Sequence, residues 1–212
     1  MPVHKSIWLI RHGTTAHNAE GLMQGWLDIP LSPQGHAQAR NLALALAKEP
    51  LDTLYVSPLT RARETAAPVL EGHDLKPLVD ERLREVHLGD WEGKRFQDEK
   101  MNHPEFVRAW RSDPSIPFPR GESFLDLCHR TASLAAEILA SPSACMAIVG
   151  HSAINRALMA NLLMIPPQSA RAFTMANGAL SLIRMAGDAP GDRHPILEFW
   201  NRIPAPEVPP HA

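Results

Sequence analysis

The chain has 212 residues, of which 44% are hydrophobic and 21% charged, a composition typical of a globular protein and not of a disordered chain. Its formal net charge of -2 argues against a surface that binds nucleic acid, but it allows a small basic pocket. No apolar stretch is long enough to cross a bilayer, and residues 1–5 lead so directly into the first strand that we expect no signal peptide. The two separated cysteines, Cys128 and Cys145, favour reduced thiols, so we expect a cytoplasmic protein.

Predicted strands and helices alternate along most of the chain. Strands are predicted at residues 7–10, 54–56, 75–79, 144–149, 179–185 and 196–200, and helices at 33–48, 59–70, 123–139 and 152–163. Residues 81–93 have no clean period and are predicted as a loop, and residues 94–120 as short helical pieces broken by prolines. This order predicts a three-layer α/β/α sandwich with a mostly parallel central sheet and an antiparallel edge.

Charged and polar residues follow three of the predicted strands. Arg11-His12-Gly13 closes the first strand, Arg61 comes just after the second, and Gly150-His151-Ser152 follows the strand at 144–149. Because the carboxyl ends of parallel strands meet at one edge of a sheet, these groups should lie together. Two guanidinium groups, two imidazoles and the amides of the helix that begins near Ser152 suit a phosphate dianion.

These residues belong to a longer series of motifs that resembles the histidine phosphatase superfamily, the phosphoglycerate-mutase-like proteins. The resemblance covers nearly the whole chain and rests on residues 11–13 (RHG), Asn18, residues 24–32 (QGWLDIPLS), 57–65 (SPLTRARET), 83–85 (LRE), 89–93 (GDWEG), 121–123 (GES) and 149–151 (VGH). It implies the phosphoglycerate-mutase-like fold and one domain over residues 1–212, with a frayed tail at 204–212. Thr14 departs from the pattern, because many members carry Glu at this position. The departure bears on which substrate is bound and not on the reaction chemistry.

By this resemblance His12 is the nucleophile, which would form a phosphohistidine and divide one hard displacement into two easier steps. Arg11, Arg61 and His151 would hold the phosphoryl oxygens and stabilise the charge of the transition state. Asn18 would add a neutral hydrogen bond at the rim of the pocket, and so would Gln24.

The resemblance also implies that Glu85 is the general acid and base, protonating the leaving alkoxide and later deprotonating the attacking water. Partial burial would favour its protonated form, whereas the nearby arginines would oppose it. Asp90 and Glu92 are the alternative carboxylates for this role.

Each of these groups also has a structural alternative. Glu85 could be a surface partner of Arg82 or Arg84, and His151 could cap the helix that follows it. His12, His151 and Glu85 could form a zinc site, but the permanent positive charges of the two arginines disfavour a dication there. We therefore expect activity with no metal and no cofactor.

The interval between Glu85 and His151 is shorter than in the mutases that the chain resembles, so it should leave the site open to water. We therefore favour a phosphomonoesterase that acts on a small-molecule phosphate ester over a cofactor-dependent phosphoglycerate mutase. An inactive binding protein is less expected, because the chain has all five residues to which the resemblance gives a catalytic role: Arg11, His12, Arg61, Glu85 and His151. We expect no nucleic-acid or membrane partner, and a homodimer is compatible with the sequence.

Residues 94–120 would form a lid that determines specificity, because loops on a fixed scaffold commonly carry that role. Aromatic residues there would face the apolar part of the substrate, and the arginines of the segment, Arg108, Arg111 and Arg120, would meet a second anionic group. The aromatic residues are Phe96, Phe106, Trp110 and Phe118.

Overall fold

A sheet forms the centre of the computed structural model, which describes residues 5–187 and 194–205. Its strands are β1 Ser6–Arg11, β2 Thr53–Val56, β3 Leu78–Val79, β4 Cys145–Gly150, β5 Leu180–Ala186 and β6 His194–Arg202. The spatial order is β3-β2-β4-β1-β5-β6. The four strands from β3 to β1 run parallel, whereas β5 and β6 are antiparallel to their neighbours. The predicted parallel sheet with an antiparallel edge is confirmed.

Helices cover both faces of this sheet. Within the described ranges they are α1 Ala16–Glu20, α2 Pro33–Leu46, α3 Thr60–His73, α4 Phe96–Asn102, α5 Pro104–Ser112, α6 Phe124–Ala140, α7 Ser152–Leu163 and α8 Pro167–Ala170. Helices α2 and α3 pack together on one face, and α6 and α7 pack together on the other. The predicted three-layer α/β/α sandwich is therefore confirmed.

Strand β1 contributes to two separate cores. Ile7 and Leu9 pack into the core formed with α6 and α7, while Trp8 and Ile10 pack into the core formed with α2 and α3. Successive side chains of a strand point to opposite faces, so a strand covered on both sides is apolar at every position. This explains why residues 7–10 form one continuous apolar run.

The structure differs from the sequence-based prediction mainly at element ends and in short helices. Helix α3 extends to His73 instead of ending near Leu70, and β3 is limited to two residues. Helices α1 and α8 have five and four residues and were not predicted. The predicted loop at 81–93 contains two short 3-10 turns, Glu81–Leu83 and Gly89–Trp91. Residues 188–193, between the last two strands, and most of the predicted tail at 204–212 lie outside the described residues.

Both cysteines are buried in the two cores, and neither forms a disulfide. Burial raises the pKa of Cys128 and of Cys145 to about 11, because desolvation disfavours the thiolate. Such thiols are poor nucleophiles at neutral pH. In the described part of the chain, no helix is both long enough and apolar enough to pass through a bilayer.

Candidate active site

The carboxyl ends of β1, β4 and β2 meet at one edge of the sheet, where β4 lies between the other two strands. The backbone of His12 donates to the carbonyl of Gly150, and that of Ser57 donates to the carbonyl of Val149, each at 3.0 Å. The residues that follow the three strands are therefore neighbours. A cavity of about 170 Å³ opens beside them, and six of the seven predicted site residues line it: Arg11, His12, Asn18, Gln24, Arg61 and Glu85.

His12 is only 3% exposed, and its Nδ1 lies 2.7 Å from the carbonyl oxygen of Gly13. A carbonyl can only accept a hydrogen bond, so Nδ1 carries the proton and Nε2 keeps its lone pair. Burial, followed by the charges of Arg11 and Arg61, lowers the pKa of His12 well below its usual value of 6.5. The imidazole is therefore held neutral, in the tautomer that a nucleophilic Nε2 requires.

His151 is the seventh predicted residue, and its ring meets that of His12 edge to face with the centroids 5.0 Å apart. It is fully buried, and its Nε2 lies 2.8 Å from Ser57 Oγ. His151 occupies the N-cap position of α7, as the structural alternative predicted, but its side chain makes no capping hydrogen bond to that helix. Burial, and next the charge of Arg61, lowers the pKa of His151 well below 6.5. Its Nδ1 is buried and has no hydrogen-bond partner among the described residues.

The guanidinium of Arg61 is 1% exposed and donates to the backbone carbonyls of Leu27 and Gly25 at 2.7 and 2.8 Å. That of Arg11 donates to the carbonyl of Met175 at 2.5 Å. Both Nε atoms are buried and lack an acceptor in the described structure. Burial lowers the pKa of Arg11, and lowers that of Arg61 to about 10, while the carboxylate of Glu85 opposes both shifts. Both groups therefore remain cationic at neutral pH.

The side-chain amides of Asn18 and Gln24 turn their oxygens away from an incoming anion. Thr15 Oγ1 lies 3.1 Å from Asn18 Oδ1 and 3.0 Å from Gln24 Oε1. Asn177, which sequence reasoning missed, donates to Asn18 Oδ1 at 3.1 Å and also to the carbonyl of His12 at 3.3 Å. With both oxygens held this way, the NH₂ groups are the free donors, as an anion-binding rim requires.

Glu85 lies against the amino end of α7. Its Oε2 accepts from the backbone of Ala153, and its Oε1 accepts from the backbones of Ile154 and Val86, at 3.2, 3.2 and 2.9 Å. Arg82 pairs instead with Asp80 and Glu137, and Arg84 with Glu81. The alternative of a surface ion pair for Glu85 is therefore wrong.

The backbone of the Glu85 loop is fixed by two side chains that sequence reasoning did not place in the site. Arg130, on α6, donates to the carbonyls of Arg82, Arg84 and Glu85 at 3.0, 2.9 and 3.2 Å. Trp26 Nε1 donates to the same Glu85 carbonyl at 2.8 Å. The charge of Arg130 is balanced by Glu122, one of the residues of the 121–123 motif. The motif was a signal for Glu122, whereas Arg130 had no signal apart from its position on a helix.

The competing carboxylates make other contacts. Asp90 forms an ion pair with Arg120, and Glu92 accepts from the backbones of Trp26 and Leu88 at 2.9 and 3.2 Å. Neither of them lines the 170 Å³ cavity. Of the three carboxylates considered, Glu85 is the one at the site.

A larger cavity of about 510 Å³ adjoins the first, and Glu85 lies on the wall of both. Its aromatic wall includes Phe96, Trp110, Phe118 and Phe124. Its basic side chains are Arg111, Arg156 and Arg171. Of the three arginines that the sequence suggested for a second anion, only Arg111 lines this cavity. Arg108 pairs with Glu105 and Arg120 with Asp90 outside it. In the ranges that the structure covers, no cluster of three or more His, Cys, Asp or Glu side chains has the arrangement of a metal site.

Comparisons with known proteins agree with this geometry. Residues 7–194 match the family model of the histidine phosphatase superfamily (branch 1). An adenosylcobalamin/alpha-ribazole phosphatase of Salmonella typhimurium is 35% identical over 84% of this chain and 89% of its own. Phosphoserine phosphatase 1 of Hydrogenobacter thermophilus is 31% identical over 84% of this chain and 85% of its own.

Among solved structures, a mycobacterial glucosyl-3-phosphoglycerate phosphatase complexed with VO3 superposes with a TM-score of 0.85 at 33% identity, covering 93% of this chain and 99% of that one. These matches confirm both the predicted resemblance and the predicted phosphatase class. The chain belongs to the histidine phosphatase superfamily, branch 1.

Proposed function

We propose that this phosphatase hydrolyses small phosphomonoesters through a phosphohistidine formed on Nε2 of His12. The observation that carries the proposal is the state of that ring: it is neutral, its proton is held on Nδ1 by Gly13, and it faces a cavity among cationic and amide donors. A neutral imidazole nitrogen with a free lone pair can attack phosphorus.

In the first step His12 Nε2 forms a bond to phosphorus as the bond to the leaving oxygen breaks. Arg11, Arg61 and His151 bind the nonbridging oxygens, whose negative charge they stabilise in the transition state. The positions of these groups support this role, because Arg11 and Arg61 line the small cavity and the ring of His151 meets that of His12 edge to face. Asn18 and Gln24 contribute amide donors at the rim.

Glu85 transfers the protons. In the first step it protonates the leaving alkoxide, which departs as an alcohol; in the second it takes a proton from the water that attacks the phosphohistidine. Hydrolysis then releases phosphate and restores neutral His12.

We propose further that residues 94–120 are a specificity segment within one domain spanning residues 1–212. Helices α4 and α5 of this segment contribute Phe96, Trp110 and Arg111 to the larger cavity, which supports that role. We also propose that the enzyme is cytoplasmic, needs no metal, and has no nucleic-acid or membrane partner. A homodimer is compatible with this function, and analytical sedimentation would measure the oligomeric state.

The decisive experiment traps the intermediate. The wild type is mixed with a radiolabelled phosphomonoester and denatured in alkaline detergent, because a phosphorus–nitrogen bond is labile in acid. We expect label on the wild type and none on His12→Asn, with His129→Asn, an exposed change on α6, as the control. Label retained by His12→Asn, or undiminished turnover by that variant, would overturn the proposal.

A mutase is the second candidate, and the products distinguish it from a hydrolase. Incubation with a phosphoglycerate and 2,3-bisphosphoglycerate yields an isomerised phosphoglycerate if the chain is a mutase, and inorganic phosphate if it is a hydrolase. An inactive binding protein would give neither product.

A further inference from the structure

Three arginines project their charge into the 510 Å³ cavity from three different elements: Arg111 on α5, Arg156 on α7, and Arg171 directly after α8. None of the three forms an ion pair within the described residues. Nearby arginines differ in this respect, since Arg108 pairs with Glu105 and Arg120 with Asp90. Glu85, on the wall of the same cavity, and Asp113 act on Arg156 and Arg171 without forming a direct ion pair, so three cationic groups face the cavity beside one carboxylate of its lining.

Contacts with backbone oxygens and aromatic rings hold two of these guanidinium groups in place. Arg156 Nε donates to the carbonyl of Ser152 at 3.1 Å, and its guanidinium lies 5.6 Å from the centre of the Phe124 ring. Arg171 donates to the carbonyl of Trp110 and lies 4.8 Å from the centre of that indole. These contacts orient the two cations without supplying a negative charge to neutralise them.

Electrostatics indicates what would complete the cavity. Burial is the main cause of the lowered pKa of Arg156 and of the lowered pKa of Arg171. The charge of Arg156 lowers the pKa of Arg171 further, whereas Glu85 opposes the shift of Arg156 and Asp113 opposes that of Arg171. Two desolvated like charges held close together are unfavourable, and an anion bound between them offsets that repulsion. Guanidinium groups bind carboxylates through paired hydrogen bonds.

Glu85 links this cavity to the chemistry. As the proposed proton donor, it must lie at the bridging oxygen, between the phosphate and the alcohol part of the substrate. It lines the small cavity that would take the phosphate and also the large cavity. The alcohol part therefore extends into the larger cavity, whose volume is typical of a small-molecule site.

We propose that Arg156, Arg171 and Arg111 form a second anion-binding subsite, and that the preferred substrates are phosphomonoesters whose alcohol part carries a carboxylate. The aromatic side chains of Phe96 and Phe118 would pack against the portion between the two anionic groups. This inference rests on the proposed function, because it takes the small cavity as the phosphate site.

The test compares two substrates of equal shape, 4-carboxyphenyl phosphate and 4-carbamoylphenyl phosphate, which differ in the charge of one group. For the wild type we expect kcat/KM to be at least about tenfold higher with the carboxylate, since hydrogen bonds between charged groups are the strong ones. Arg156→Gln and Arg171→Gln should each lower that ratio about tenfold, mainly through KM. Arg111→Gln, an exposed change that does not endanger folding, should lower it in the same direction.

Arg108→Gln is the charge-matched control, because Arg108 lies on the same helix as Arg111 but outside the cavity. It should leave the ratio unchanged. A wild-type ratio near one would overturn the subsite, and so would equal losses with both substrates in the cavity variants.

Binding of the corresponding benzylphosphonates separates this inference from the proposed function, because binding needs no turnover. A preference for 4-carboxybenzylphosphonate that disappears in Arg156→Gln supports the subsite even if no substrate is hydrolysed, an outcome that would reject the proposed function alone. Equal affinity for the carboxylate and carboxamide phosphonates, together with phosphate release from both esters, would reject the subsite alone.

Discussion

The rings of His12 and His151 meet edge to face, 5.0 Å between centroids, at the ends of two adjacent parallel strands. Both are buried, and in both burial is the main cause of a lowered pKa. Among the described residues, neither ring has an acidic partner that would favour imidazolium. The pair therefore places two neutral imidazoles beside two cationic arginines. In this arrangement the arginines carry the positive charge, and the histidines remain uncharged.

The lowered pKa values predict how stability depends on pH. Below about pH 6.5 the unfolded chain binds protons on these two histidines and the folded chain does not, so the free energy of unfolding falls as the pH falls. The slope is at most about 1.4 kcal/mol per pH unit for each histidine, and it ends where the folded-state pKa is reached. Urea unfolding at pH 7.5 and 5.5 measures it.

In that experiment His12→Asn and His151→Asn should each lose less stability than the wild type between the two pH values. The other histidines are common to all three proteins and cancel in the comparison. An identical pH dependence in all three would contradict the buried, neutral state of these rings.

Ser57 is predicted to set the orientation of His151 through the 2.8 Å contact with Nε2. Ser57→Ala leaves that buried nitrogen without a partner, so kcat/KM for a phosphomonoester should fall about tenfold, and competitive inhibition by inorganic phosphate should weaken. Ser57→Thr keeps a hydroxyl and should restore most of both. If Ala and Thr behave alike, the hydrogen bond has no role in positioning.

Arg130 is predicted to position the proton donor, because it binds three carbonyls of the Glu85 loop. Arg130→Gln should lower kcat most for alkyl phosphates, whose leaving group needs a proton, and least for 2,4-dinitrophenyl phosphate, whose leaving group does not. Glu85→Gln should show the same dependence more strongly, with a loss of about 10²–10⁴-fold for alkyl phosphates. Arg40→Gln, an exposed change on α2, serves as the control, and a loss independent of the leaving group would indicate a general structural defect instead.

Gly13 is predicted to be intolerant of a side chain because the backbone of α2 approaches it closely. A Cβ at this position would lie 2.5 Å from the carbonyl oxygen of Gly35 and 2.9 Å from its Cα. Gly13→Ala should lower the free energy of unfolding by about 1–3 kcal/mol and displace His12, with loss of kcat. Gly72→Ala on α3 is the matched control, since a Cβ there meets nothing within 4 Å and alanine is the better helix former. The urea unfolding midpoints of both variants measure this difference. Equal midpoints would contradict the close contact between Gly13 and the backbone of Gly35.

The sequence predicted the residues of the 170 Å³ cavity better than those of the 510 Å³ cavity, for a physical reason. Arg11, His12 and His151 directly follow buried strands, so parallel pairing alone brings them together. Arg156 and Arg171 lie on a helix and after a short helix, and their shared cavity depends on how α5, α7 and α8 pack. No local pattern records that packing, and the sequence accordingly suggested Arg120, which forms an ion pair with Asp90 instead.

The ends of helices and strands were also predicted correctly where a local contact determines them, and less well where pairing in the sheet does. Helix α2 begins where Ser32-Pro33 predicted it, because its Ser32 side chain accepts from the backbone of Gly35, a local contact. Strand β3 is limited to Leu78 and Val79, the two residues that pair with β2, and Pro77 directly before them has no N–H to donate to the ladder. The capping box of α1, by contrast, is local, and Thr15 with Asn18 was a signal that sequence reasoning missed.

The position of Glu85 on the partition between the two cavities joins recognition of the far end of a molecule to bond cleavage. Compounds shortened at that end should turn over more slowly even at saturation, because remote attraction aligns the scissile oxygen with its proton source. Substitutions on α5 or α7 that change which substrates are preferred would then change kcat as well.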